Sequence, residues 1–254
     1  QMKIRRIVAI WAAKTAGFVC KKMGRQGVTW AGKIAMKIYP PILKELAEEV
    51  REKKFVVCGT NGKTTTAFVI KDILKEFNIR SGLIGTVKNM IGEKDYPTRL
   101  TTPDPHDLHE LFKMMADDNV EYCVMETSSQ AFHQMRLAGV HFKVGIFSNL
   151  TQDHLDYHGS FENYAEAKSM LFSQSDVCIL NLDDEYAMSM MRNSEGRMVT
   201  YSVNQDESDY TAKYIRYKND GIEYELVFTM SSKRNGKVVR PKKAKVMCFW
   251  RPLR

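Results

Sequence analysis

The run Gly59-Thr-Asn-Gly62-Lys63-Thr-Thr-Thr66 constrains this chain more than any other stretch. It follows an apolar segment, Phe55-Val-Val-Cys58, and opens a helical one that extends from Lys63 to about Phe77. Glycines at such a junction let successive backbone N–H groups turn inward around an anion. The helix N-terminus adds its partial positive charge. Lys63 is then expected to reach the β and γ phosphates of a nucleotide, and the Thr64 hydroxyl to hold Mg²⁺. Gly59, Thr60, Asn61, Gly62 and Thr65 complete the expected phosphate-binding set. A strand, a phosphate loop and a helix in succession commit the chain to alternating α and β layers.

The segments beyond the loop agree with that commitment. Tyr122-Cys-Val-Met125, Val144-Gly-Ile-Phe147 and Val177-Cys-Ile-Leu180 are short apolar runs without alternation. Such runs suit a parallel sheet buried on both faces. Helical stretches separate them at Pro105–Asp117, Phe161–Phe172 and Asp184–Asn193. Residues 210–228 read differently, as a β-hairpin about Asn219-Asp-Gly221. The expected fold class is therefore α/β: a three-layer domain of phosphate-loop type with a mostly parallel central sheet, preceded by N-terminal helices and followed by a hairpin region.

Charge is uneven along the chain. Residues 1–54 and 231–254 each carry +9, so the overall +8 leaves −10 for residues 55–230. A nucleic-acid binder concentrates its positive charge on the folded core. Here the core is acidic and the ends are basic, so no nucleic-acid partner is expected. Residues 3–25 read as an amphipathic helix with a basic face, for which weak membrane-surface contact is an alternative to packing on the domain. Lys14 interrupts the apolar stretch of residues 7–20 and no small-residue cleavage site follows, so a signal peptide is rejected and a cytoplasmic location expected. The five cysteines are widely spaced, without a CxxC pair, and read as buried reduced thiols.

Further acids and histidines stand at the ends of the apolar runs. Glu126 follows one, where open α/β sheets bind ligands, and is a candidate Mg²⁺ ligand. Asp153, His154, Asp156 and His158 follow another and suit a second metal or phosphate site. Lys168 is a single lysine among small and apolar neighbours on a helix.

The general phosphate-loop pattern places a glycine at position 57, which is Val57 here. The shorter Gly-Thr-Asn-Gly-Lys-Thr-Thr form resembles the Mur ligase and folylpolyglutamate synthetase superfamily. Glu126-Thr-Ser-Ser129, Asn149-Leu-Thr-Gln-Asp-His-Leu-Asp-Tyr-His-Gly159 and Tyr164-Ala-Glu-Ala-Lys168-Ser-Met-Leu-Phe172 follow in order. Together they resemble the Mur ligases of the MurE type, as do Thr101-Thr-Pro-Asp104 and Asn181-Leu-Asp-Asp184.

That resemblance implies an ATP-dependent ligase of peptidoglycan precursor synthesis. Such an enzyme activates the carboxylate of a UDP-N-acetylmuramoyl-peptide as an acyl phosphate and joins it to an amino acid. It implies that Lys63, Lys168 and His154 serve catalysis, that Thr64, Glu126, His154 and a carbamylated Lys168 serve Mg²⁺, and that Asn181 lies near the nucleotide. Thr101, Thr102, Ser128 and Arg136 would meet the muramoyl-peptide.

Residues 1–54 instead resemble the start of MurT, an amidating subunit that works with a glutaminase partner. The organisation expected is an N-terminal helical segment at 1–54 and a central ATP-binding domain at 55–254. This central domain is expected to be cut short, and the family's C-terminal ligase domain absent. A MurT-like amidating subunit and a nucleotide-binding fragment without turnover are the alternative readings, with folylpolyglutamate synthetase a weaker one.

Overall fold

The computed structural model describes residues 53–228, apart from 154, 193 and 220, and the backbone of strand Lys242–Phe249. The N-terminal helices expected at residues 3–25 and 42–52 lie outside the described residues.

One sheet organises the molecule. Its strands are β1 (Lys53–Cys58), β2 (Ser81–Ile84), β3 (Asn89–Ile91), β4 (Lys94–Tyr96), β5 (Tyr122–Glu126), β6 (Phe142–Phe147), β7 (Ser175–Asn181), β8 (Arg197–Ser202), β9 (Tyr210–Lys218), β10 (Gly221–Phe228) and β11 (Lys242–Phe249). The spatial order is β11-β10-β9-β8-β7-β6-β1-β5-β2-β3-β4. Pairing is parallel from β9 through β2 and antiparallel at both edges. The mostly parallel sheet is thus as expected, and β9 and β10 form the expected antiparallel pair.

Helices cover both faces: α1 (Lys63–Glu76), α2 (Pro105–Asp117), α3 (Ser129–His133), α4 (Leu155–His158) and α5 (Phe161–Ser173). Alternation along the central strands assigns residues to one layer or the other. Val57, Leu83 and Val124 pack with Ala67 and Leu74 of α1. Their strand neighbours Val56, Cys58, Ile84, Cys123 and Met125 join Leu108 and Phe112 of α2 and Leu171 and Phe172 of α5. Both clusters are closed to solvent, and a fully buried Leu or Phe of this kind contributes roughly 1.5–3 kcal/mol. Val57, where a longer phosphate loop would have its first glycine, is one of these strand residues and wholly buried.

Some boundaries differ from the sequence expectation. The sheet begins at Lys53, inside the segment assigned to the N-terminal helices. Asp184–Asn193 is not a helix along its length. Among its described residues only Met188–Met191 is helical, as a 3₁₀ helix. The Asp184 carboxylate accepts from Tyr186 N at 2.9 Å and from Leu150 N at 2.7 Å, which ties the start of this stretch to the loop after β6. The basic tail contributes β11, which pairs along β10. Cys58, Cys123 and Cys178 are buried free thiols. None of the described helices is long and apolar enough to cross a membrane.

Candidate active site

Strand register assembles the site. Val57 of β1 lies opposite Glu126 of β5, Cys58 opposite Phe147 of β6, and Phe147 opposite Leu180 of β7. The residues that follow these positions, Gly59, Thr127, Ser148 and Asn181, therefore emerge side by side at the carboxyl edge of the sheet. The chain leaves β1 for β2 in one direction while β6 flanks β1 on the other side. This is the kind of crevice in which open α/β sheets hold ligands.

The loop after β1 is held by the loop after β6. Asn149 Oδ1 accepts from Asn61 N at 2.9 Å, and Thr60 N donates to Asn149 O at 2.9 Å. Ser148 Oγ donates to Asn61 O at 2.8 Å. Gly59 permits this approach, because a Cβ there would stand 1.9 Å from Ser148 Oγ. Gly62 serves a different need: at φ 80° it adopts the left-handed turn that begins α1. Helix α1 has no side-chain cap and no acid in its first turn. Its free N–H groups and dipole thus remain for an anion.

A cavity of about 380 Å³ opens over this helix start. Thr60, Asn61, Gly62, Lys63, Thr64 and Thr65 line one wall, and Thr86, Thr101, Glu126 and Ser128 the other. Lys63 Nζ donates to the carbonyls of Gly59 and Thr60, each at 2.9 Å. Burial lowers the pKa of Lys63, and the charge of Lys168 lowers it further.

Glu126 is fully buried. Thr64 Oγ1 donates to its Oε2 at 2.7 Å, and Thr86 N donates to its Oε1 at 3.0 Å. Gly85 makes room for it, since a Cβ at position 85 would lie 2.2 Å from Oε1. A hydroxyl and a buried carboxylate side by side, next to a helix N-terminus, form an oxygen donor set of the kind Mg²⁺ takes in company with phosphate oxygens and water.

The residues expected to meet the acid substrate are adjacent but fall into two groups. Thr101 and Ser128 line the cavity. Thr102 and Arg136 brace it. Thr102 Oγ1 accepts from Ser128 N at 3.1 Å and lies 3.3 Å from Glu126 O, and Arg136 donates to Thr102 O at 2.9 Å. Arg136 also pairs with Asp104 at 3.3 Å. Burial raises the pKa of Asp104 and Arg136 opposes that rise.

Lys168, on α5, is 2% exposed, with Nζ 4.7 Å from the centre of the Tyr164 ring. Burial lowers its pKa, against the opposing charges of Asp153 and Asp184. Tyr164 in turn reaches the phosphate loop, its hydroxyl 3.1 Å from Thr60 Oγ1. Burial pushes that phenol up to about 12, so it remains a hydroxyl. Asn181 spans the ends of β7 and β6, donating to Ser148 O at 2.9 Å. His154 lies outside the described residues. His158 is buried and bonded to Ser129 Oγ at 2.8 Å.

Sequence reasoning did not single out Thr86. Its signal, a Gly-Thr pair after the short apolar Leu83-Ile84, is weak because β2 is only 4 residues long.

Several known proteins are similar to this chain. Relatives include a UDP-N-acetylmuramoyl-L-alanyl-D-glutamate–2,6-diaminopimelate ligase from Clostridium perfringens (strain 13 / Type A), 47% identical over 175 residues. That match covers 67% of this chain and 36% of the relative. A protein of the same name from Phocaeicola vulgatus is 42% identical, over 66% of this chain and 34% of its own length. The chain thus spans about a third of the curated relatives it matches. A solved structure of a UDP-N-acetylmuramoyl-L-alanyl-D-glutamate–2,6-diaminopimelate ligase superposes with a TM-score of 0.64 at 29% identity, covering 80% of this chain and 41% of that one. MurF from Acinetobacter baumannii, at 16% identity, shares the fold with a TM-score of 0.59 over 84% of this chain and 42% of that one. The family model described as "Mur ligase middle domain" matches residues 57–240, and the chain belongs to that family.

Proposed function

We propose that the chain is the ATP-binding part of a MurE-type peptide ligase. This ligase would join the carboxylate of UDP-N-acetylmuramoyl-L-alanyl-D-glutamate to an amine of 2,6-diaminopimelate. The observation that carries the reading is the convergence of Lys63, Thr64 and Glu126 on one cavity with Thr101 and Ser128 on its other side. The names of the relatives at 40–47% identity supply the substrates.

In this reading ATP phosphates occupy the loop Gly59–Thr65, and Thr64 and Glu126 hold Mg²⁺. The ion supplies charge neutralisation at the transferring phosphoryl group. Lys63 neutralises the β and γ phosphate oxygens. A carboxylate oxygen of the acid substrate attacks the γ phosphorus as the bond to ADP breaks, giving an acyl phosphate. The amine then forms the C–N bond, the C–O bond to phosphate breaks, and the amine gives up a proton. Thr101 and Ser128 orient the acid, while Thr102 and Arg136 keep that wall in place.

Lys168 enters as a carbamate. Its lowered pKa favours the neutral amine, whose lone pair forms an N–C bond to carbon dioxide and which then loses a proton. The product is an anionic oxygen ligand where an ammonium would repel a cation. A cytoplasmic location goes with the same reading. The glutaminase partner and membrane contact expected from residues 1–54 draw no support from the described residues and form no part of it.

Calorimetric titration with Mg-ATP tests the nucleotide site, with Lys63→Ala as the control. Loss of the lysine contacts weakens binding by about ten- to a hundredfold, the scale of charged hydrogen bonds. Phosphate release that requires both the muramoyl-dipeptide and diaminopimelate tests the reaction. A folded wild-type chain that binds no Mg-ATP would sink the reading.

A further inference from the structure

The Thr86 hydroxyl has one proton and two oxygens within reach. Its Oγ1 lies 3.1 Å from Glu126 Oε2 and 3.0 Å from Thr101 Oγ1. A buried carboxylate only accepts hydrogen bonds, whereas a hydroxyl can do both. Thr86 is the donor toward both, so Glu126 and Thr101 compete for its one proton. The result is a hydrogen-bonded chain that links Thr101 and Glu126 through the one Thr86 proton, anchored by the Thr86 N–H, which donates to the other carboxylate oxygen at 3.0 Å.

The chain crosses the cavity wall. Thr101 and Glu126 both line the cavity, and no direct hydrogen bond joins their side chains among the described residues. Thr86 joins the acid-substrate loop to the carboxylate beside Thr64. Groups that hydrogen-bond a metal-binding carboxylate fix its direction, and their loss commonly lowers metal affinity about ten- to a hundredfold.

We propose that Thr86 is a positioning residue: it orients Glu126 for a divalent cation and transmits the state of Thr101 to that cation site. The inference rests on the reading of Glu126 as a cation ligand and adds to it a residue that makes no contact with the ion. Because Thr86 has one proton to give, a change in what Thr101 accepts is felt at Glu126 through Thr86.

The test is a double-mutant cycle on binding of Mn²⁺ together with ADP, read from the electron spin resonance signal of the free ion. ADP affinity in EDTA is measured alongside. Thr86→Val is expected to weaken Mn²⁺ binding about tenfold or more. It should leave ADP affinity in EDTA unchanged, and Thr86→Ser should recover most of the loss. Thr101→Val removes the competing acceptor and leaves the Thr86 proton on Glu126, so it is expected to tighten Mn²⁺ binding about twofold or more, and to have no further effect once Thr86 is valine. Additive effects of the two substitutions overturn the relay, as does an unchanged Mn²⁺ affinity in Thr86→Val. So does an equal loss of ADP affinity in EDTA, which marks a merely structural role. A wild-type chain that binds ADP but no Mn²⁺ overturns the cation site itself, and the relay with it.

Discussion

The Thr64 hydroxyl donates to Glu126 Oε2 at 2.7 Å and so joins the first turn of α1 to the last residue of β5. The contact unites the phosphate loop with the carboxylate edge of the sheet at the point where a cation would bridge them. Glu126→Gln keeps the shape and removes the charge. Its amide nitrogen must also face a backbone N–H or a hydroxyl that now donates to Glu126. Nucleotide affinity in the presence of Mg²⁺ should fall by about ten- to a hundredfold, the scale of charged contacts. Affinity in EDTA should stay close to wild type. Calorimetry under the two conditions checks this, and an equal loss in both would mean that Glu126 supports the loop rather than a cation.

Gly85 guards the same carboxylate. A methyl group at this position would lie 2.2 Å from Glu126 Oε1 and 3.1 Å from its carboxyl carbon. The strand before it pairs with β5 on one side and β3 on the other, which leaves the backbone little room to yield. Gly85→Ala should therefore displace the Glu126 side chain. The expected stability loss is about 1–3 kcal/mol, typical of overpacking, together with weaker Mn²⁺ binding. Thermal unfolding and the Mn²⁺ titration give the two readouts. A variant with wild-type values for both would show that the carboxylate is freer than its buried setting indicates.

The centre of this fold was legible because its strands carry their own signature. Val56, Val57, Cys123, Val124 and Met125 are apolar on both faces, as strands covered by two helix layers must be. The loop glycines and the acids at strand ends then marked the site edge. The strands β2, β3 and β4 escaped notice because they are 4, 3 and 3 residues long and include Ser81, Gly82, Asn89 and Lys94. Thr86 was hidden with them, since its importance comes from β2 lying beside β5 and not from any local pattern. The stretch after β7 misled for the opposite reason. Its methionines and alanine read as a helix, but of its described residues only Met188–Met191 is helical, while the Asp184 carboxylate ties the stretch to Leu150 in the loop after β6, a contact with no local signature. Thr102 and Arg136, expected to meet the substrate, also make hydrogen bonds that cross 24 and 34 residues and leave no trace in the sequence.

His109 should make the domain sensitive to acid. Its ring meets Phe112 edge-on at 5.9 Å, and the Lys54 ammonium sits 5.1 Å from that same Phe112 ring. Burial, with the positive charge of Lys54 added, lowers its pKa from 6.5 to about 4. Below pH 6.5 the unfolded chain takes up a proton that the folded chain refuses until about pH 4. Stability from this group is thus complete above pH 6.5 and is lost as pH falls through that window, by at most roughly 3 kcal/mol. His109→Gln should flatten that limb of the stability–pH curve measured by urea unfolding. An unchanged slope between pH 4 and pH 6.5 would contradict the assignment.

Lys63 and Lys168 face a common difficulty, since one is partly and the other almost wholly buried near one site. Burial lowers the pKa of each, and the charge of Lys168 adds to the lowering at Lys63. For lysines whose pKa is depressed on folding, the cost of holding the charge is fully present below the folded pKa. It is relieved as pH rises toward 10.5, because the unfolded chain then binds more protons. Carbamylation of Lys168 relieves it by another route, replacing the positive charge with a negative one. Lys63 then gains an attractive neighbour and its pKa should rise, which keeps it charged for phosphate. Wild-type protein in labelled bicarbonate should accordingly show a carbamate carbon resonance that strengthens with pH and is missing in Lys168→Met. Bicarbonate should also raise the thermal stability and the Mn²⁺ affinity of the wild type while leaving Lys168→Met unaffected. Lys168→Met removes the buried charge but supplies no oxygen ligand, so it should fold at least as stably as uncarbamylated wild type while binding Mn²⁺ more weakly. If bicarbonate moves neither property in the wild type, Lys168 acts as a buried cation and the carbamate is ruled out.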